Sequence, residues 1–180
     1  MPAPGVRIMV DLMTTLAVGI RKAEPRDAQA IADVHHEAWR GAYSGIIPHR
    51  ALNAMLGRRG PDWWANAIRR SATVLVVEIG GTIVGYATLG RSRARGLAQQ
   101  GEIYELYLRP EYQGIGLGSR LFSAAREKLA ASGLKGMVVW ALEDNAGALS
   151  FYQGAGGRDA AEGVEVFDQK ALKKVAFVWD

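Results

Sequence analysis

A strand-like sequence that runs through three glycines straight into a helix-like sequence constrains this chain more than any other stretch. Residues 105–122 read Glu-Leu-Tyr-Leu-Arg-Pro-Glu-Tyr-Gln-Gly-Ile-Gly-Leu-Gly-Ser-Arg-Leu-Phe. Gly114, Gly116 and Gly118 lack the Cβ atoms that would hold a ligand off the backbone. The first N–H groups of the helix that follows have no intrahelical partner, and the helix dipole is positive at that end, so the turn favours a phosphate or diphosphate. Two well-known phosphate loops do not fit. The dinucleotide pattern Gly-x-Gly-x-x-Gly meets Ser119 when counted from Gly114 and Leu121 when counted from Gly116. The Walker pattern needs Lys and then Ser or Thr after its last glycine, and Gly118 is followed by Ser119-Arg120.

The flanking sequence reads as alternating strands and helices. Val18–Ala23 has the character of a first strand, and Pro25 and Asp27 mark the start of a helix expected to end near Trp39. On that helix Ile31, Val34, His35 and Ala38 share one face. Gly41, Gly45 and Pro48 are read as breakers, followed by helical pieces over 51–56 and 62–68. Thr73–Ile79 and Thr82–Leu89 flank Gly80-Gly81 and should form an antiparallel hairpin. A loop over 91–101 leads to a strand at 102–108, and the glycine turn then opens a helix over 118–132 that stops at Gly133. A strand at 136–141, a short helix at 145–153 and strands at 164–168 and 173–179 complete a mixed α/β sheet with helices on both faces.

Composition narrows the function. With 180 residues, 49% hydrophobic and 22% charged, the chain suits one domain with a sizeable core. No apolar run approaches the roughly 20 residues of a membrane helix. The lack of cysteine removes disulfides, thiol nucleophiles and thiolate metal sites, and is compatible with a cytoplasmic location. A net charge of +4 suits an anionic ligand. Arg91, Arg93 and Arg95 are the densest basic stretch, but no aromatics interleave them, so they read as a solvated loop or an anion contact rather than a nucleic-acid groove. Residues 1–17 are expected to form a flexible extension, because Asp11 interrupts the apolar stretch that a signal peptide would need.

Gln113-x-x-Gly116-x-Gly118, together with the Glu-Leu-Tyr-Leu-Arg-Pro-Glu-Tyr that precedes it, resembles the acetyl-coenzyme A loop of the GNAT superfamily of N-acetyltransferases. Downstream, Asn145-Ala-Gly-Ala148-Leu-Ser-Phe151-Tyr152, followed by Gly156-Gly157, is similar to the second motif of that family. The resemblance spans about residues 18–180. It implies a mixed, mostly antiparallel, splayed sheet and acetyl-coenzyme A as cosubstrate, with no metal. One departure is that members usually carry Gly-Phe at the position of Gly156-Gly157, which bears on local packing.

The resemblance also assigns roles. The backbone of Gln113, Gly114, Ile115, Gly116, Leu117, Gly118 and Ser119 would hold the diphosphate. The strand segment Leu106, Tyr107 and Leu108 would pair with the pantetheine arm and aim an N–H at the thioester oxygen, a contact whose loss elsewhere costs about 10² to 10³ in rate. Asn145 would bond the pantetheine amides or cap its helix, and Tyr152 would serve the leaving thiolate as general acid. Amines are protonated near neutral pH, with a pKa of about 10.4, so a base is needed. Glu102 and Glu105 are the candidates. Glu102 is preferred because some members place their base there, and strict alternation would put the two on opposite faces unless a bulge intervenes.

Trp39 and Tyr43 fall where related enzymes form a wall of the acceptor pocket, although both also suit a core at helical spacing. Adjacent His35 and His36 point to different sides of a helix and do not make a paired metal site. The expected activity is direct acetyl transfer to a small-molecule or peptide amine, without nucleic acid or membrane partners and with a homodimer as a plausible assembly. Two other expectations stay open: a coenzyme A-binding module without turnover, and a toxin-like enzyme acting on aminoacyl-tRNA.

Overall fold

The structure is a computed structural model and describes residues 17–180, so the N-terminal extension expected over 1–17 lies outside the described residues except for Ala17. Seven strands form one sheet: β1 (Val18–Lys22), β2 (Thr73–Ile79), β3 (Thr82–Arg91), β4 (Gly101–Leu108), β5 (Met137–Leu142), β6 (Arg158–Phe167) and β7 (Lys170–Trp179). Their order is β1-β2-β3-β4-β5-β7-β6. Every neighbouring pair is antiparallel except β4 and β5. Five helices accompany them: α1 (Ala28–Tyr43), α2 (His49–Arg58), α3 (Pro61–Arg69), α4 (Leu117–Ala131) and α5 (Ala146–Gly154). Among the described residues no helix is long and apolar enough to cross a membrane.

The β2–β3 hairpin turns on Gly80 and Gly81 at φ +56° and +82°, the left-handed pair that a two-residue turn needs. A second such turn, Asp168-Gln169 at φ +47° and +72°, joins β6 to β7. Those two strands are longer than their sequence predicts. Arg158–Gly163 is poor in β-formers and takes its strand geometry from pairing with β7, as in Arg158↔Val178 and Ala161↔Ala176. Helix α1 likewise runs past Trp39 to Tyr43. Gly41 does not break it, because Trp39 and Tyr43, one turn apart on the same face, are both buried; the glycine itself sits where a Cβ would come 3.3 Å from Pro110 Cγ.

Helices cover both faces. Leu121, Phe122, Ala125 and Leu129 of α4, the face read from their spacing, are buried with Ile103, Val139 and Phe177. On the other face Ile31 and Val34 of α1 and Trp64 and Ile68 of α3 pack on Val74, Val76 and Tyr86. Leu52 and Leu56 of α2 meet Tyr43, Leu142 and Leu172. Each fully buried side chain of this kind contributes roughly 1.5–3 kcal/mol relative to exposure.

Two irregularities shape the middle of the sheet. β4 and β5 pair only from Gly101↔Met137 to Ile103↔Val139, after which the strands diverge. Each has another strand on its far side, β3 and β7 respectively, so the divergence opens a cleft inside the sheet. The second irregularity is a bulge in β4. Thr88 pairs with Glu105 and Leu89 with Ile103, which leaves Tyr104 as an extra residue. Ile103, Leu106 and Leu108 therefore face the same core. Glu102 and Glu105 both lie on the opposite face, in place of the two faces that strict alternation gives.

Candidate active site

The glycine turn presents free donors to the cleft. Gly114 and Gly116 have φ of +75° and +91°, and a Cβ at either would meet open space. Gly116 is the N-cap of α4 and no side chain caps that end. Among the described residues, the first backbone bond donated after the turn is Arg120 N–H to Gly116 O at 3.2 Å, which leaves the amides from Gly114 to Ser119 without acceptors. Ile115 and Leu117 turn their side chains into the core and so fix the loop. Gly118 lies beside Phe151, where a Cβ would come within 3.3 Å of the ring. A cradle of unpaired amides at a helix start, clear of side chains, fits a diphosphate.

The strand contributes donors by its alternation. Arg109 N–H bonds Val84 O on β3, so the peptide groups of Leu108 and Leu106 point away from β3, into the divergence. Gln113 Nε2 donates to Leu108 O at 3.2 Å and ties the turn to the strand end. The resulting cavity of about 610 Å³ runs from the turn, past Leu106, Asn145 and Tyr152, to Tyr43, Glu105 and Trp140. Asn145 caps α5 through Oδ1, which accepts from Ala148 N–H at 3.2 Å, and also lines the cavity. Tyr152 is held by Phe122, Phe151, Phe177 and Trp179. Trp179 also fills the space beside Gly157 and donates from Nε1 to Ala155 O, so an aromatic from β7 packs against the glycine pair.

The two glutamates separate. Glu102 is 4% exposed and accepts from Arg93 N–H at 2.7 Å and Arg93 Nη2 at 3.1 Å, away from the cavity lining. Glu105 lines the cavity. Its Oε1 accepts from Arg59 Nη1, and its Oε2 accepts from Tyr86 Oη at 2.8 Å. Behind Tyr86, His35 Nδ1 lies 2.7 Å from the Tyr86 hydroxyl.

Tyr43 also lines the cavity and shares a 2.5 Å hydrogen bond with the Tyr107 hydroxyl. Trp39 stands one layer back, against His35 at 4.8 Å, Tyr43 at 5.1 Å and Tyr107 at 5.7 Å between ring centroids.

Burial pushes the phenols of Tyr43, Tyr86, Tyr107 and Tyr152 above the ordinary tyrosine range, so all four are neutral donors near neutral pH. Burial, reinforced by Arg59 and His36, pushes His35 down to about 3. Its Nδ1 is 3.8 Å from Glu105, close enough to favour a charged ring. Arg59 already neutralises that carboxylate, and burial prevails.

Sequence reasoning did not find Arg59, Tyr86, His35 or the Tyr107 side chain as parts of this site. The sequence signal for His35 is its place on the apolar face of α1, a position that reads equally as core. Arg59 follows α2, beyond any periodic pattern, and reaches Glu105 across 46 positions of sequence.

The chain is similar to known proteins in sequence and in fold. The sequence profile of the acetyltransferase (GNAT) family matches residues 31–156. An uncharacterized N-acetyltransferase of Bacillus subtilis, YuaI, is 32% identical over 162 residues, covering 90% of this chain and 92% of that protein. The PaiA N-acetyltransferase of Thermoplasma acidophilum, solved in complex with coenzyme A, superposes with a TM-score of 0.71 at 21% identity, covering 88% of this chain and 98% of that one. The yncA protein of Salmonella typhimurium, solved with acetyl-coenzyme A, gives 0.67 at 25% identity, with 91% and 93% covered. With a sheet that parts beside an open amide cradle and a profile match over most of its length, the chain belongs to the acetyltransferase (GNAT) family of N-acetyltransferases.

Proposed function

We propose that this enzyme moves an acetyl group directly from acetyl-coenzyme A to a primary amine, both held together in the cleft between β4 and β5. The observation that carries this is the continuity of one cavity from the free amides at 114–119 to Glu105 and Tyr152. Acetyl-coenzyme A, when bound, supplies the acetyl group as a thioester.

The protein's own groups do the rest. The amides from Gly114 to Ser119 hold the diphosphate, and the Leu106 peptide and the Leu108 N–H, unpaired on the cleft side, hold the pantetheine and orient the carbonyl, while Gln113 occupies the Leu108 carbonyl. Glu105 is the proton acceptor. Arg59 and Tyr86 occupy one direction on each carboxylate oxygen, and a carboxylate has about four acceptor directions, so capacity remains for an ammonium N–H or a bridging water. Glu102, favoured on resemblance, does not suit this part because Arg93 seals it. Tyr152 offers its hydroxyl to the departing sulfur. Since burial raises this phenol while a thiol sits at about 8.5, its main service is a hydrogen bond that stabilises the developing thiolate.

Mixing the purified protein with acetyl-coenzyme A and a panel of amines tests the proposal by release of free thiol. Saturable release with at least one primary amine is expected, abolished or strongly reduced in Glu105→Gln. Binding of coenzyme A without amine-dependent thiol release across the panel would overturn it.

A further inference from the structure

Glu105 is the end of a buried chain of donors that begins on α1. Tyr86 Oη carries one hydrogen and gives it to Glu105 Oε2 at 2.8 Å. The 2.7 Å contact between Tyr86 Oη and His35 Nδ1 then has one consistent polarity: the imidazole donates and the phenol oxygen accepts. That fixes a neutral His35 as the Nδ1–H tautomer and leaves Nε2 without a hydrogen. Nε2 is buried and makes no hydrogen bond among the described residues, which fits a nitrogen that carries no proton to place. His35 is 1% exposed, enclosed by Trp39 and by Trp64, which meets it edge-on at 5.6 Å.

We propose that His35 is a positioning residue for the acetyl transfer, acting through Tyr86 to hold Glu105 turned towards the acceptor amine. This rests on the assignment of Glu105 as proton acceptor. Arg59 grips Oε1, but it is a side chain from the end of α2, partly exposed and stacked over Trp63 at 4.7 Å. Tyr86 lies on the interior strand β3 and is wholly buried, so it sets the carboxylate's torsion against a rigid part of the sheet. The imidazole in turn fixes the phenolic rotor, since a Tyr86 hydroxyl without His35 could swing its hydrogen away from Glu105. His35 does not line the cavity, and its role is geometric.

Three variants and one control test this. Tyr86→Phe and His35→Leu remove the donor chain, while His35→Asn keeps an N–H at the Nδ1 position and should act as the conservative rescue. Expected in the first two is a loss of about tenfold to a hundredfold in kcat/KM for the amine, of the size produced by misplaced catalytic groups, with the Kd for coenzyme A unchanged. His35→Asn should recover most of that loss. Equal loss in His35→Asn and His35→Leu, or full activity in Tyr86→Phe, would overturn the positioning role. Tyr86→Phe keeps the ring and so keeps the test available if His35→Leu does not fold. Glu105→Gln separates this from the underlying assignment: full activity there sinks Glu105 as acceptor, whereas an inactive Glu105→Gln beside a fully active Tyr86→Phe sinks only the part given to His35.

Discussion

Arg93 holds Glu102 from two directions, with its backbone N–H at 2.7 Å and its guanidinium at 3.1 Å. The contact fastens the 92–100 loop over the end of β4 and takes Glu102 out of the cleft. Glu102→Gln should therefore lower stability by about 1–2 kcal/mol, as expected for loss of hydrogen bonds to a charged group. Turnover should stay close to that of the parent. Glu105→Gln also gives up a charged acceptor for Arg59 and Tyr86 and should lose a similar amount, about 1–2 kcal/mol, but it alone should lower kcat, by about 10² to 10⁴. Parallel kinetics and urea denaturation of the two variants decide which carboxylate serves the reaction.

Tyr152→Phe removes one hydroxyl from a ring that stays gripped by Phe122, Phe177 and Trp179. The phenol is kept protonated by burial, as the hydrogen bond proposed for it to the leaving sulfur requires. The expected result is a lower kcat with an unchanged Kd for coenzyme A by calorimetry. An unchanged kcat would remove Tyr152 from the reaction.

The parts of this site that a one-dimensional sequence reveals are those whose physics is local. A glycine with positive φ beside a helix start is such a case, and Gly114, Gly116 and the N-terminus of α4 lie where their sequence placed them. The Gly80-Gly81 hairpin and the buried face of α4 are equally local. The divergence of β4 from β5 is not, because it depends on which strands pair and for how far. Nor is the bulge at Tyr104, which has no glycine to announce it and which carries Glu102 and Glu105 to one face. Arg59, Tyr86 and His35 meet at Glu105 from three separate elements, and their meeting is a product of tertiary packing alone.

Gly116 supports a prediction that separates strain from charge. At φ +91° any side chain costs about 1–2 kcal/mol, but a Cβ there would point into open space. Gly116→Ala should thus weaken coenzyme A binding modestly and Gly116→Asp by at least a further order of magnitude, since its carboxylate would face the diphosphate across unpaired amides. Calorimetry giving equal affinity for parent and Gly116→Asp would refute the cradle.

At Gly157 the constraint is steric. An added Cβ would lie 2.7 Å from Trp179 Cζ2 and 2.8 Å from Tyr152 O, and the second of these is backbone. Gly157→Ala should destabilise by about 1–3 kcal/mol, the usual cost of overpacking. It should also lower turnover, because the chain that must move carries Tyr152. A thermal midpoint equal to that of the parent would show that the β7 tryptophan has room to yield.

His35 gives the protein a specific acid sensitivity. Its ring is surrounded by Trp39 of α1, Trp64 of α3 and Tyr86 of β3, with Glu105 of β4 at 3.8 Å and Arg59 beyond it. The folded value of about 3 lies below the ordinary 6.5, so between those limits the unfolded chain binds the extra proton. Stability contributed by the neutral ring is complete above about pH 6.5 and falls as pH drops through that window, by about 1.4 kcal/mol per pH unit. Asp27, held below the usual carboxylate range first by its hydrogen bond from Arg21, loses its contribution only further down, beneath its ordinary 3.8. Urea unfolding of the parent and of His35→Asn between pH 7 and pH 4.5 isolates the histidine, since asparagine does not titrate. The stability advantage of the parent should shrink steadily below pH 6.5. Curves that stay parallel across the window would mean that the folded protein accommodates a charged imidazolium beside Glu105, and with it a donor on Nε2 that the surrounding indoles leave no acceptor to meet.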